Sequence, residues 1–179
     1  MMDAANENRR YMPSRMTRDD FLEVFGGVYE HSPWIAEAVY AEGLAGGQDN
    51  VAGLHGALRD VVDKADDDQK LALLRAHPDL AGKLAVAGEL TAESTSEQAS
   101  AQLDKCTAEE FAEFQALNER YKKEFGFPYI LAVRRRSRQE ILRNFRSRVD
   151  NDAETEFAQA LKQVHRIALL RIETLFQEK

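Results

Sequence analysis

The sequence predicts an all-α protein: one domain built as a bundle of about eight helices. Three observations predict it. Apolar residues recur at helical spacing along most of the chain. Strand-like alternation is nearly absent. The ten glycines and four prolines cluster between the periodic stretches. A length of 179 residues suits one domain, or at most two small ones, and a chain of this size buries roughly 70% of its unfolded surface, enough for a core without disulfides. The first 14 residues are expected to form a flexible tail, leaving residues 15–179 as the helical domain.

The elements follow in order. A first helix is expected over about 17–29, with Phe21, Val24, Phe25 and Val28 on one face. Ser32 then stands as an N-cap, with Pro33 at the first helical position of a helix carrying Trp34, Ile35, Ala38 and Val39. Gly43 to Asn50 forms a loop. A third helix carries Leu54, Leu58, Val61 and Val62, and a fourth, with Leu71, Leu73 and Leu74, runs up to His77. Residues 79–93 are irregular, and Gly82 and Gly88 lie among them. Ser94 and Thr107 stand as N-caps of the next two helices. The second of these, about 108–124, carries Phe111, Phe114, Leu117 and Tyr121. The apolar stretch Phe125 to Leu131 contains Pro128 and forms a link rather than a helix. Helices over about 138–149 and 153–176 complete the bundle.

Composition excludes several functions. The net charge of −7 argues against nucleic acid as a partner, because phosphate binding needs a basic surface. The one basic cluster, Arg134, Arg135, Arg136 and Arg138, suits a solvated helix entry or an anion or subunit contact. No apolar run approaches the ~18 residues of a membrane span. Residues 1–14 lack the apolar core of a secretion signal, and Gln177-Glu178-Lys179 is no peroxisomal address. The single cysteine, Cys106, cannot form an internal disulfide and suits a packing role. A cytoplasmic location is expected.

The four histidines, His31, His55, His77 and His165, show no metal-ligand spacing, and neither a phosphate loop nor a nucleophile elbow occurs. Metal, nucleotide and covalent catalysis all lose ground on this pattern. His77 is more informative. Pro78 disfavours a helical conformation at the preceding residue, so the imidazole stands at a helix end, on a bend, near the edge of a core. That position serves acid–base chemistry or a simple cap. Ser94-Thr95-Ser96-Glu97-Gln98 forms a capping box, with Ser94 as cap and Glu97 reaching back; it also offers hydroxyls, a carboxylate and an amide to a polar ligand. Arg171 lies on the stripe Phe157, Leu161, Val164, Ala168, Leu175, and must find a structural carboxylate, snorkel, or bind an anion. Phe127-Pro128-Tyr129-Ile130 suits core, or a link whose backbone N–H groups grip a ligand. On these residues alone, a helical interaction module stands beside an enzyme.

Taken together, His77-Pro78-Asp79-Leu80, Leu90 to Gln98, Phe125 to Ile130, Arg171 and the early Glu30-His31-Ser32-Pro33-Trp34 resemble the 2-oxo-4-hydroxy-4-carboxy-5-ureidoimidazoline (OHCU) decarboxylases, in the family's order and over about residues 15–176. The resemblance implies a cofactor-free enzyme of urate breakdown that removes CO2 from OHCU to give (S)-allantoin, with an all-α, usually dimeric fold. It implies His77 as the acid/base, Glu97 beside it, and Arg171 on the substrate's charged or carbonyl groups. It further implies a pocket lined by Pro78, by Ser94, Thr95, Ser96, Glu97 and Gln98, and by the backbone of Tyr129, Ile130, Leu131, Ala132 and Val133. Tyr129 departs from the phenylalanine common there and brings a hydroxyl that needs a partner. Arg136 departs from a common glycine.

Overall fold

A computed structural model describes residues 11–82 and 90–177. Eight α-helices appear among the described residues: α1 (Arg18–Phe25), α2 (Trp34–Glu42), α3 (Val51–Lys64), α4 (Asp67–Arg75), α5 (Ala92–Ser100), α6 (Ala108–Phe125), α7 (Arg138–Arg148) and α8 (Ala153–Gln177). There is no strand among them. No described helix is long and apolar enough to cross a membrane. The expected Gly88 lies outside the described residues.

The chain divides into two compact units. One comprises residues 1–70 with 167–179, and the other residues 71–166. In the first unit, α1 buries Phe21 and Phe25, α2 buries Ile35, Ala36 and Val39, and α3 buries Leu54, Leu58 and Val62. Phe176 adds a ring 6.0 Å from that of Phe25. Each apolar set follows the i, i+3, i+4 spacing that makes one helix face insoluble. Gly53 is fixed by close approach: a Cβ there would stand 1.7 Å from the carbonyl oxygen of Gly47. Part of the expected tail is structured, since Pro13 is buried in a 3-10 turn and Ser14 donates from its N–H and its hydroxyl to Asp49.

One helix end and one helix start differ from expectation in this unit. The first helix ends at Phe25, and Val28 is buried from the turn that follows. Pro33, not Ser32, occupies the N-cap of α2, and the Ser32 hydroxyl instead donates to the carbonyl of Glu30. Pro33 has a φ of −63°, the helical value that its ring presets, and makes no side-chain cap bond.

The second unit is centred on aromatic rings. Tyr121 packs against Phe125, Phe127, Tyr129 and Phe145, and the rings of Tyr129 and Phe145 lie 3.8 Å apart between centroids. Helix α6 begins with the expected Thr107 cap, whose hydroxyl accepts from Glu110 N–H while the Glu110 carboxylate accepts from Thr107 N–H. It ends at Gly126, whose φ of 77° supplies the left-handed residue that closes many helices. Helix α5 starts three residues earlier than expected. Thr91 is its cap and accepts from Ser94 N–H, so Ser94 sits inside the first turn. Threonine is among the preferred cap residues, and Ala92 and Glu93 extend the helix at little cost.

Candidate active site

His77 follows the last turn of α4. Its N–H bonds the carbonyl of Leu74, a tightened turn that stops the helix before Pro78. The side chain is 8% exposed, at the edge of a cleft of about 390 Å³. Pro78, Asp79, Asn118, Lys122 and Pro128 also line this cleft. Thus the His-Pro-Asp-Leu stretch and the Phe-Gly-Phe-Pro-Tyr stretch meet at one depression in the second unit. Arg75 reinforces the junction by donating from Nε to the carbonyl of Gly126 at 2.9 Å.

Helix α5 brings its predicted residues to different places. Ser94 and Gln98 are one turn apart, on the same face, and both are buried. Thr95 and Ser96 point to solvent, and Glu97 is half-buried. The Gln98 amide grips the loop after His77: Oε1 accepts from Ala81 N–H at 3.0 Å, and Nε2 donates to the carbonyl of Asp79 at 3.3 Å. Glu97 is therefore carried by the residue next to one that holds the His77 loop, although Glu97 is not among the residues lining the cleft.

The link from Tyr129 to Val133 is buried throughout. The Tyr129 hydroxyl finds its partner in Asn144 Oδ1 at 2.5 Å. Burial pushes its phenol well above the usual range, with Arg148 opposing. Backbone groups expected to await a ligand are in part engaged within the protein. The Ile130 carbonyl accepts from Arg148 Nη1 at 2.6 Å, Ala132 N–H donates to Gln163 Oε1 at 3.1 Å, and the Ala132 carbonyl accepts from Arg136 Nε. Irregular backbone in a core must be satisfied by side chains, and these long polar residues do so. The arginine cluster is likewise divided. Arg136 serves this link and Arg138 pairs with Glu110 at 2.8 Å, whereas Arg135 is exposed.

Arg171 belongs to the first unit. Its Nη1 stands 2.7 Å from Glu30 Oε2, with the side chains 5% and 1% exposed, and it faces the carbonyls of Gly27 and Val28 at 3.4 Å. The structural carboxylate foreseen for it is Glu30. Among the described residues no group of His, Cys, Asp and Glu could hold a metal ion. Cys106 is half-buried, and burial raises its thiol above the ordinary value.

Sequence reasoning missed two sets of polar residues. On α6, Gln115, Asn118 and Lys122 all reach the His77 loop. In the core, Glu156 pairs with Arg148 at 2.9 Å and accepts from Tyr121. The signal was present in the spacing: Asn118 interrupts the apolar face between Phe114 and Tyr121, as Arg171 interrupts its own stripe.

Comparison with known proteins shows the family of this chain. The family model for OHCU decarboxylase matches residues 14–173. A 2-oxo-4-hydroxy-4-carboxy-5-ureidoimidazoline decarboxylase of Haloferax volcanii is 39% identical over 93% of this chain and 95% of its own. The mouse protein of the same name is 35% identical over 87% of this chain and 86% of its own. A crystal structure of (S)-allantoin synthase aligns with a TM-score of 0.72 at 32% identity, covering 92% of this chain, which spans 52% of that longer one.

Proposed function

The chain belongs to the OHCU decarboxylase family, and we propose that it catalyses the cofactor-independent conversion of OHCU to (S)-allantoin in urate breakdown. The observation that carries this reading is the family match across residues 14–173, which takes in the motifs around His77, Glu97, Tyr129 and Arg171. The chemistry suits the residue types. When the carboxylate leaves as CO2, its bonding pair moves toward the neighbouring C=N of the ring, so no metal or cofactor sink is required. The hydroxyl must then lose a proton, and a ring carbon must gain one on a single face.

In this proposal His77 exchanges the proton, held at the edge of a cleft by a helix end and Pro78. Glu97 orients the imidazole and fixes its tautomer. Arg171 binds a carboxylate or ureido oxygen, for which a planar fork of donors is well shaped. Pro78, residues Ser94 to Gln98 of α5 and the Tyr129–Val133 backbone surround the substrate. The full pocket implied by the resemblance stays part of the proposal, as do a homodimeric state and a cytoplasmic location.

Circular dichroism during the decay of freshly made OHCU tests the reading, because it reports rate and handedness together. The expected result is optically active allantoin formed faster than by spontaneous decay. Racemic product at the uncatalysed rate would overturn the reading. A His77→Ala variant is expected to lose ~10²–10⁴-fold in turnover, the usual contribution of a positioned acid/base.

A further inference from the structure

We infer that Gln115 and Asn118 are positioning residues for His77: with Gln98, they lock the Asp79–Ala81 loop that fixes where the imidazole stands. This rests on the assignment of His77 as acid/base.

The loop does not hold itself. Ala81 has a φ of 49°, in the left-handed region that an L side chain rarely adopts. The turn is so tight that a Cβ on Gly82 would stand 2.6 Å from the Cβ of Asp79. Such geometry persists only where its surroundings over-determine it. Here three side-chain amides from two helices supply that constraint. Gln98 takes the Asp79 carbonyl and the Ala81 N–H. Asn118 Nδ2 donates to the carbonyl of Leu80 at 2.9 Å, and Gln115 Nε2 to that of Ala81 at 2.9 Å. Lys122 Nζ adds a 2.7 Å bond to the Asp79 carboxylate. Gln98 and Asn118 are buried, so their bonds are made away from water, where they are strong and costly to lose.

The grip reaches His77 through a stiff joint. Pro78 has its φ fixed by the ring, and it disfavours helical geometry at His77. Few soft torsions therefore separate the locked loop from the imidazole. His77, Gln115 and Asn118 also line the same cleft.

The test uses Gln115→Met, which keeps the side chain's length but cannot donate. Gln115 is half-buried, so the fold is expected to survive, and thermal denaturation verifies this. Turnover should fall about ten- to a hundredfold, as small misplacements at a reacting centre do, with KM changed by no more than about twofold. The His77 ring signals in NMR should shift while those of His31, His55 and His165 stay in place. Adding Ala81→Gly should restore much of the lost turnover, because glycine adopts positive φ without penalty. A His77→Asn control separates the two claims. If it stays active, the assignment of His77 fails. If it is inactive while Gln115→Met keeps wild-type turnover and unshifted His77 signals, the positioning inference is overturned.

Discussion

Glu30 and Arg171 form an ion pair at 2.7 Å with both side chains out of water. The pair joins the early Glu-His-Ser-Pro-Trp turn to the last helix within the first unit. Removing one partner leaves the other charge buried and alone, which typically costs ~3–5 kcal/mol. Glu30→Ala and Arg171→Met are each expected to lower the unfolding free energy measured in urea by an amount of that order. Replacing both, as Glu30→Leu with Arg171→Met, should recover most of the stability, because apolar isosteres of a buried pair are often neutral. Turnover should not recover in the double variant if Arg171 also contacts substrate. Equilibrium unfolding and the decarboxylation assay on the three variants separate the structural from the proposed catalytic role.

A second buried pair sits in the other unit. Arg148 and Glu156 are 5% and 0% exposed, and Glu156 also accepts from Tyr121 at 2.5 Å and from Asn151 Nδ2 at 2.9 Å. Arg148 additionally holds the Ile130 carbonyl and lies 4.7 Å from the centre of the Tyr129 ring. Arg148→Met strands a fully buried carboxylate and frees a buried carbonyl, so a loss of ~3–5 kcal/mol is expected. Tyr121→Phe removes one hydrogen bond to a charge and should cost less, ~1.5–3 kcal/mol. Denaturant midpoints that rank the two variants in the reverse order would remove Arg148 from the centre of this network.

The periodicity of Phe114, Leu117 and Tyr121, or of Leu54, Leu58 and Val62, made the helices legible because burying an apolar face is a local, repeating requirement. The Thr107 cap was legible for the same reason, since its Glu110 partner is three residues away. Ser94 was misplaced because Thr91 also offers a cap, and packing of Ser94 and Gln98 into the core favours the earlier start. The partners of Arg171, of the Tyr129 hydroxyl and of the Ala81 backbone were not legible. Each is a long-range pairing set by tertiary structure, and one sequence carries no record of which carboxylate or amide a distant group meets. Asn118 and Glu156 did leave a local trace, as polar residues on otherwise apolar faces.

The revised start of α5 makes a direct prediction. Thr91→Ala removes the side-chain acceptor for Ser94 N–H and should destabilise the protein by about 1 kcal/mol. Ser94→Ala keeps that cap and its own backbone N–H, so its effect comes from the loss of a buried hydroxyl alone. Threonine-to-serine exchange at position 91 should retain nearly full stability. Thermal unfolding of the three variants checks the assignment, which fails if Thr91→Ala and Thr91→Ser are equally stable.

Three buried phenols are expected to weaken the fold at alkaline pH. Burial raises the values of Tyr29, Tyr121 and Tyr129 far above that of a free tyrosine; Asp63 adds to the effect at Tyr29, and the hydrogen bond to Glu156 adds to it at Tyr121. The unfolded chain begins to release these protons near pH ~10, while the folded chain still holds them. Above that pH the unfolded state binds fewer protons than the native one, so stability must fall as pH rises. Below it both states are protonated and the contribution is fully present. Unfolding free energy should therefore be level toward neutral pH from below ~10 as far as these groups are concerned, and then decline steeply. Phenolate absorbance from these three residues should appear together with the loss of helical dichroism. Tyr129→Phe should weaken the decline, since one titrating group is gone, and a decline of unchanged steepness would remove Tyr129 from the set.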